Sequence, residues 1–112
     1  MFRGRIEDKE MIRGTTPTYE FETDISLVDA LEIFVTFKQG NIRVEKTKED
    51  CQVEADKITL ELTQTETLNF RAGGYKAQCQ IRAKFAGAPE DVAVASNIMD
   101  VNILPILKEG VI

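Results

Sequence analysis

The sequence predicts an all-β fold in which two antiparallel sheets enclose one core. The longest alternating segment is residues 75–85. Apolar and polar side chains alternate there without a break, and Tyr75 and Phe85 lie on the apolar side. A period of two places every polar side chain on one face of a strand, whereas a helix would distribute them around its circumference. Shorter alternating segments recur between turn signals spaced by roughly eight to twelve residues. This spacing is typical of an immunoglobulin-like antiparallel β-sandwich of about seven strands.

Length and composition indicate one globular domain. The chain has 112 residues, of which 43% are hydrophobic and 29% are charged, which is enough for one core and too little for two. A net charge of -5 argues against the basic surface of a nucleic-acid-binding protein. We find no apolar region typical of a signal peptide or a membrane span, so we expect a soluble protein made in the cytoplasm.

Residues 1–14 show no hydrophobic period. Charged side chains surround the few apolar ones, which are Phe2, Ile6, Met11 and Ile12. Such a composition is typical of a flexible N-terminal arm, and the alternative is an arm that becomes ordered on a neighbouring subunit. We therefore expect the β-sandwich domain to span residues 15–105, followed by an apolar C-terminal tail at residues 106–112.

The first two strands are predicted on either side of a connection at residues 24–30. Tyr19 and Phe21 alternate with acidic residues in the first strand, and Ser26 is a candidate N-cap for a single helical turn in the connection. The inner face of the second strand is predicted to consist of Leu31, Ile33, Val35 and Phe37. Phe34 interrupts the outer, polar face, which predicts either a covering loop or contact with another subunit.

Gly40-Asn41 predicts a hairpin with a two-residue loop and Gly at the first central position of a type II′ turn. Such a loop pairs Gln39 with Ile42 and places Phe37 opposite an apolar Val44. A loop one residue longer would instead bring a charged side chain onto the interior face, so the shorter loop is favoured.

Two shorter strands are predicted at residues 51–54 and 58–63. Thr63 and Glu66 then have the spacing of a capping box, which predicts one short helical turn near residues 64–70. Gly73-Gly74 allows a tight turn into the long strand.

The last strand carries its inner apolar residues at even positions up to Val94 and at odd positions from Met99. This change predicts one inserted residue, a β-bulge, near Ser96-Asn97. Beyond Pro105 lies an apolar tail that we expect either to fold back on the sandwich or to dock on a partner. Together with one outer-face residue, the tail supplies the candidate interface residues, which are Phe34, Ile106, Leu107, Val111 and Ile112.

No catalytic constellation is present in the sequence. The chain has no histidine, the commonest general base and metal ligand. Cys51 and Cys79 are interpreted as unpaired thiols without a basic partner, and a disulfide between them is the less favoured alternative. We therefore predict no enzyme activity, no cofactor and no metal.

The clustered acidic and basic side chains are interpreted as solvent-exposed surface charges. Glu49-Asp50 and Glu90-Asp91 lie in predicted turns, where solvated loop carboxylates are favoured over a weak calcium site. The basic residues of the long strand, Lys76, Arg82 and Lys84, are interpreted as a solvated face, with an acidic partner as the alternative.

Several segments carry a family resemblance over about residues 14–104. They are TPTYEF (16–21), IFVTFKQ (33–39), EKT (45–47) with Asp50 and Cys51, LTQ (62–64) with Leu68 and Phe70, QIR (80–82) and ASNI (95–98). These segments resemble the small β-sandwich domains of tail and baseplate proteins in phages and prophages of Gram-positive bacteria, especially the N-terminal domain of the baseplate upper protein.

The resemblance implies an attachment and assembly module without catalytic residues, located in the virion tail. Its expected partners are other virion subunits and further copies of itself in a homo-oligomer, with neither nucleic acid nor membrane. The sequence therefore predicts a virion structural protein that acts through protein-protein contacts. The alternative is an immunoglobulin-like ligand-binding or adhesion module for glycan or calcium.

Overall fold

The computed structural model describes all residues, Met1–Ile112, as a sandwich of two sheets. Its strands are β1 (Gly4–Ile6), β2 (Glu10–Ile12), β3 (Thr18–Thr23), β4 (Glu32–Gln39), β5 (Ile42–Thr47), β6 (Cys51–Glu54), β7 (Lys57–Glu61), β8 (Lys76–Phe85), β9 (Val92–Ala95) and β10 (Met99–Leu104). A 3-10 turn spans Lys48–Asp50 and one helix, α1, spans Gln64–Leu68.

The order of the strands confirms the predicted immunoglobulin-like architecture. One sheet runs β1-β3-β7-β6 and the other runs β2-β10-β8-β4-β5, with β9 also paired to β8. These orders correspond to the ABED sheet and to the GFC sheet extended by C′. The structure has ten strands where about seven were predicted. Residues 1–14 add two short strands, and the last predicted strand is divided into β9 and β10.

The core lies between the sheets and is centred on three aromatic rings. Phe37 of β4 lies with its ring centre 5.4 Å from that of Tyr19 and 6.3 Å from that of Phe21. All three side chains are fully buried. Burial of each contributes about 1.5–3 kcal/mol to folding, so this contact between the two sheets is a main source of stability.

The β4-β5 hairpin has the predicted register. Gln39 pairs with Ile42, and Phe37 lies opposite Val44. Gly40 has φ of 58° while Asn41 does not have a positive φ, as a type II′ turn requires.

The prediction of a flexible arm at residues 1–14 was wrong, because these residues form one strand in each sheet. β1 pairs with β3 in one sheet, and β2 pairs in parallel with β10 in the other. Phe2, Ile6 and Met11 are buried in the core. Each strand has only three residues, which is too short for an alternating pattern to be visible, so the domain begins well before residue 15.

The predicted bulge is present between β9 and β10. Ala95 pairs with Arg82 and Met99 with Cys79, so three residues of one chain segment face two of the other. Within the bulge, Asn97 turns its side-chain amide to β1. The amide oxygen accepts from Gly4 N at 2.7 Å, and the amide nitrogen donates to Gly4 O at 3.0 Å. One side chain therefore joins the two sheets at this side of the sandwich.

Several apolar residues predicted to face inward are exposed because they lie where the strands end. β4 begins after Leu31 and β8 after Tyr75, and both side chains are largely exposed, as is that of Val92. Alternation fixes the face of a strand but does not fix how far the opposite sheet extends. The predicted capped turn at Ser26 forms as a turn and not as a helix: Val28 N donates to Ser26 Oγ at 3.4 Å, and Ala30 N donates to Leu27 O at 3.1 Å.

The strands define two ends of the molecule. At the loop end, β4 begins and β8 finishes, with Glu32 opposite Lys84. At the helix end, β4 reaches Gln39, β8 begins at Lys76, and α1 follows β7.

The capping box of α1 is confirmed. Thr63 Oγ1 accepts from Glu66 N at 3.1 Å, and Glu66 Oε1 accepts from Thr63 N at 2.8 Å. Lys46 Nζ lies 2.8 Å from the same carboxylate oxygen. Burial acts to raise the pKa of Glu66, but the hydrogen bonds from Lys46 and Thr63 outweigh it and hold the pKa below the ordinary value of 4.5.

We expect Glu66→Gln to weaken the acid dependence of stability. A carboxylate whose pKa is lowered in the folded state stabilises the fold above its unfolded pKa, and this contribution is lost as the pH falls through the folded value. The difference in free energy of unfolding between wild type and Glu66→Gln should therefore be largest at pH 7. It should shrink as the pH falls below the ordinary carboxyl pKa. Urea unfolding from pH 7 to about 3 measures it.

Glu45→Gln is the matched control, because Glu45 is exposed on β5 and has no ion-pair partner. Its stability difference from wild type should stay flat with pH. Identical acid profiles for the two variants would contradict the role given to Glu66.

Candidate interaction surface

The C-terminal segment, residues 106–112, lies against the helix end of the sandwich. Ile112 N donates to Gln64 Oε1 at 2.8 Å, and Gln64 Nε2 donates to Ile112 O at 3.2 Å. This side-chain amide binds both backbone groups of one residue, as a neighbouring strand would. Of the two outcomes open for the apolar tail, the structure shows the one in which it folds back.

Arg13 attaches the same segment to the end of α1. Its Nε donates to Phe70 O at 2.7 Å and its terminal nitrogen to Leu68 O at 3.1 Å. The other terminal nitrogen forms an ion pair of 2.7 Å with Glu109. The last carbonyl groups of a helix have no partner within the helix, and Arg13 supplies one while also binding the segment.

Ile106 packs into a space that only glycine leaves open. Gly14 has φ of 76°, and a Cβ there would lie 2.9 Å from Ile106 Cδ1 and 3.4 Å from Leu68 Cδ2. Ile106 is therefore half-buried between β2 and α1, and it anchors the segment by apolar contact.

The rest of the segment turns its apolar side chains to solvent. Leu107, Val111 and Ile112 are exposed, as are Ile12 and Tyr75 at the same end. Exposed apolar groups gathered at one place are characteristic of a contact surface. We call these five residues the apolar end patch.

Phe34 does not belong to this patch. It is half-buried on the outer face of β4, where it pairs with Thr47 and Arg82 in the neighbouring strands. The structure thus brings together the four tail residues among the candidate interface residues and leaves Phe34 apart on the sheet.

Arg13 and Gln64 were not found from the sequence. Arg13 is one more charge in an irregular segment, and Gln64 appears only as a position inside the predicted helical turn. Their roles depend on where residues 106–112 return, and no local pattern predicts that return.

The patch is bordered mainly by basic side chains. Lys76 follows Tyr75, Lys108 follows Leu107, and Arg71 lies in the adjoining loop. None of the three has an ion-pair partner, since the ion pairs of this end are Arg13–Glu109 and Lys46–Glu66. Glu10 and Glu61 offset this positive charge in part.

The two cysteines are free thiols in different sheets. Burial, together with the charge of Asp50, raises the pKa of Cys51 to about 11. Burial likewise raises the pKa of Cys79. A thiol of raised pKa is a weak nucleophile at neutral pH, so neither cysteine provides reactive chemistry.

The acidic turn at Glu49-Asp50 is hydrogen-bonded to Thr47, the residue that precedes the 3-10 turn. Asp50 Oδ2 accepts from Thr47 N at 2.9 Å, and Glu49 Oε2 accepts from Thr47 Oγ1 at 3.0 Å. No group of three or more His, Cys, Asp or Glu side chains is placed to hold a metal ion. The helix content is one five-residue helix, and no helix is long and apolar enough to cross a membrane.

A groove of about 610 Å³ lies between β1 and the bulge. The groove is lined by both acidic and basic side chains. One of the basic ones, Arg5, forms ion pairs with Glu7 and Glu22. Small-molecule sites are predominantly apolar with a few converging polar groups, and this groove lacks that composition.

Comparison with known proteins gives no assignment. No protein-family model matches the chain, and a search of the curated proteins finds no similar sequence.

We expect Arg13→Ala to destabilise the domain by about 1–2 kcal/mol and to release residues 106–112. Shielded hydrogen bonds of charged groups contribute about 1.5–3 kcal/mol each. The carbonyl groups of Phe70 and Leu68 are only part-buried and Glu109 is exposed, so water replaces much of what Arg13 supplies and the net loss is far below the sum of three such bonds. Urea unfolding measures the first effect and backbone ¹⁵N relaxation of the segment the second.

Arg71→Ala is the control, because Arg71 is exposed at the same end without an ion pair. It should change stability by less than about 0.5 kcal/mol. Unchanged relaxation of residues 106–112 in Arg13→Ala would show that Arg13 does not hold the segment.

Proposed function

We propose that this chain is a structural protein of a phage or prophage virion, in the tail or baseplate, which assembles through protein-protein contacts. The observation that carries the contact role is the apolar end patch. Leu107, Val111 and Ile112 are held in place by Arg13 and Gln64, yet their side chains face solvent. An ordered apolar surface of this kind is suited to binding another protein subunit.

The assignment to a virion is supported by the resemblance of residues 14–104 to baseplate and tail sandwiches. In the same way, a tail location, synthesis in the bacterial cytoplasm and partners among other virion subunits are parts of this proposal.

Mass spectrometry of purified particles tests the virion assignment. Induction of a strain that encodes the chain should give particles in which it is present in fixed proportion to the other tail proteins. Its absence from intact tails would contradict the proposal.

Light scattering after size-exclusion chromatography tests the contact role. The full chain should associate as its concentration rises, and a version ending at residue 105 should associate less. A strict monomer in both versions would remove the self-association from the proposal, and binding to a glycan array would favour the adhesion alternative instead.

A further inference from the structure

We propose that copies of this chain associate head to tail, with the helix end of one copy against the loop end of the next. The inference rests on the self-association in the proposed function and specifies its geometry. It does not depend on which particle the protein belongs to.

The molecule is elongated, with extents of 52 × 24 × 22 Å, and its exposed apolar residues are concentrated at its ends. Ten large hydrophobic side chains are exposed in the whole chain. The apolar end patch supplies five of them, and the loop end supplies three. The remaining two are Met1 and Ile98. The sides of the sandwich are therefore the less apolar surfaces.

The loop end presents its own apolar group, made of Val28, Leu31 and Val92. Each is about half exposed, between 47% and 52%. Leu31 N donates to Lys84 O at 2.7 Å, and Val92 pairs with Phe85. Both residues therefore lie at the end of β8, with the turn of Val28 beside them.

On balance the unpaired charges that border the two groups have opposite signs, although Lys48, whose Nζ donates to Ala30 O, lies among the acidic side chains of the loop end. At the loop end, Asp29 lies between Val28 and Leu31, and Glu90-Asp91 precedes Val92. None of these three carboxylates has an ion-pair partner. At the helix end the basic side chains without an ion-pair partner are Lys38, Arg43, Arg71, Lys76 and Lys108, against the carboxylates of Glu10, Glu61 and the C-terminus. Apolar groups of similar size with complementary borders favour contact between unlike ends over contact between like ends.

The sides carry fewer exposed apolar groups, and the edge of β1 is covered, whereas β5 and β6 are edge strands that remain open. Asn97 occupies the free edge of β1, and the outer face of β8 carries Gln78, Gln80 and Arg82. A covered edge cannot extend the sheet into another copy. Because the two contacting ends differ, the association is heterologous and gives either a ring or an open filament.

Charge reversal at one end and at both ends tests the inference. We compare Lys76→Glu/Lys108→Glu at the helix end, Asp29→Lys/Asp91→Lys at the loop end, and the combination of all four. The control is Lys9→Glu/Arg82→Glu, which lowers the net charge as much as the helix-end variant does, but on the sides. All substituted residues are exposed, and circular dichroism and thermal unfolding confirm that each variant is folded.

We measure association by sedimentation velocity over a concentration series, at low salt and at about 0.5 M salt. Screening of charge-charge contacts becomes strong over roughly this range. Wild type and control should associate beyond a dimer at low salt, and each single-end variant should be weakened at least tenfold. The four-substitution chain should associate again, because its reversed ends are once more complementary.

Two results would overturn the inference. Association of the loop-end variant equal to that of wild type would mean that the helix ends pair with each other. A four-substitution chain no more associated than either single-end variant would mean that the ends do not meet. The presence of the chain in purified particles is unaffected by either result, so the proposed function is tested separately.

Discussion

Phe37→Ala is expected to remove a large share of the stability of the domain, about 3–5 kcal/mol. Phe37 is fully buried between the two sheets and contacts Tyr19 and Phe21 across the interface. Deleting its ring leaves a cavity that strands fixed by backbone pairing cannot close. Since domains of this size have about 5–15 kcal/mol in total, thermal unfolding should begin roughly 10–20 °C lower.

Phe34→Ala is the matched control, three positions earlier on the same strand. Its ring is half-buried on the outer face, so truncation should cost about 1 kcal/mol. Urea unfolding of both variants measures the difference. Equal losses would contradict the assignment of Phe37 to the core contact between the sheets.

Asn97→Ala is expected to destabilise the domain by about 2–3 kcal/mol. The substitution leaves both the N–H and the C=O of the buried Gly4 without their partner, and unsatisfied buried groups cost about 1–3 kcal/mol each. The edge of β1 also becomes available for pairing with other chains, so aggregation on heating should increase.

Asn102→Ala provides the comparison, because Asn102 is exposed on β10 and its loss should cost less than about 0.5 kcal/mol. Urea unfolding and light scattering during heating are the two measurements. Equal behaviour of the two variants would show that Asn97 does not join the sheets.

The long elements could be predicted from the sequence because their patterns repeat. The alternation of β8, the register of the hairpin at Gly40, the capping box at Thr63 and the bulge at Asn97 are all local features, and the structure confirms them. Each depends on residues within one or two strands, so neighbouring positions carry enough information.

The features that escaped prediction depend on contacts distant in the chain. β1 and β2 are held by β3 and β10 respectively, and three residues alone show no period. The apolar character of residues 106–112 pointed to a contact surface, but its attachment depends on Arg13, which is 96 residues from Glu109. No local pattern encodes such a pairing.

Gln39 binds backbone in the same way as Gln64 and Asn97. Its amide accepts from Arg71 N at 2.7 Å and donates to Arg71 O at 2.8 Å and to Tyr75 O at 3.0 Å. Gln39 thus fixes both ends of the loop at residues 71–75 to the hairpin. A Cβ added at Gly73 or Gly74 in the middle of this loop meets nothing within 4 Å. Residues inserted between those glycines would therefore project into solvent without disturbing the sheets, and they would hold a bound neighbour away from the helix end.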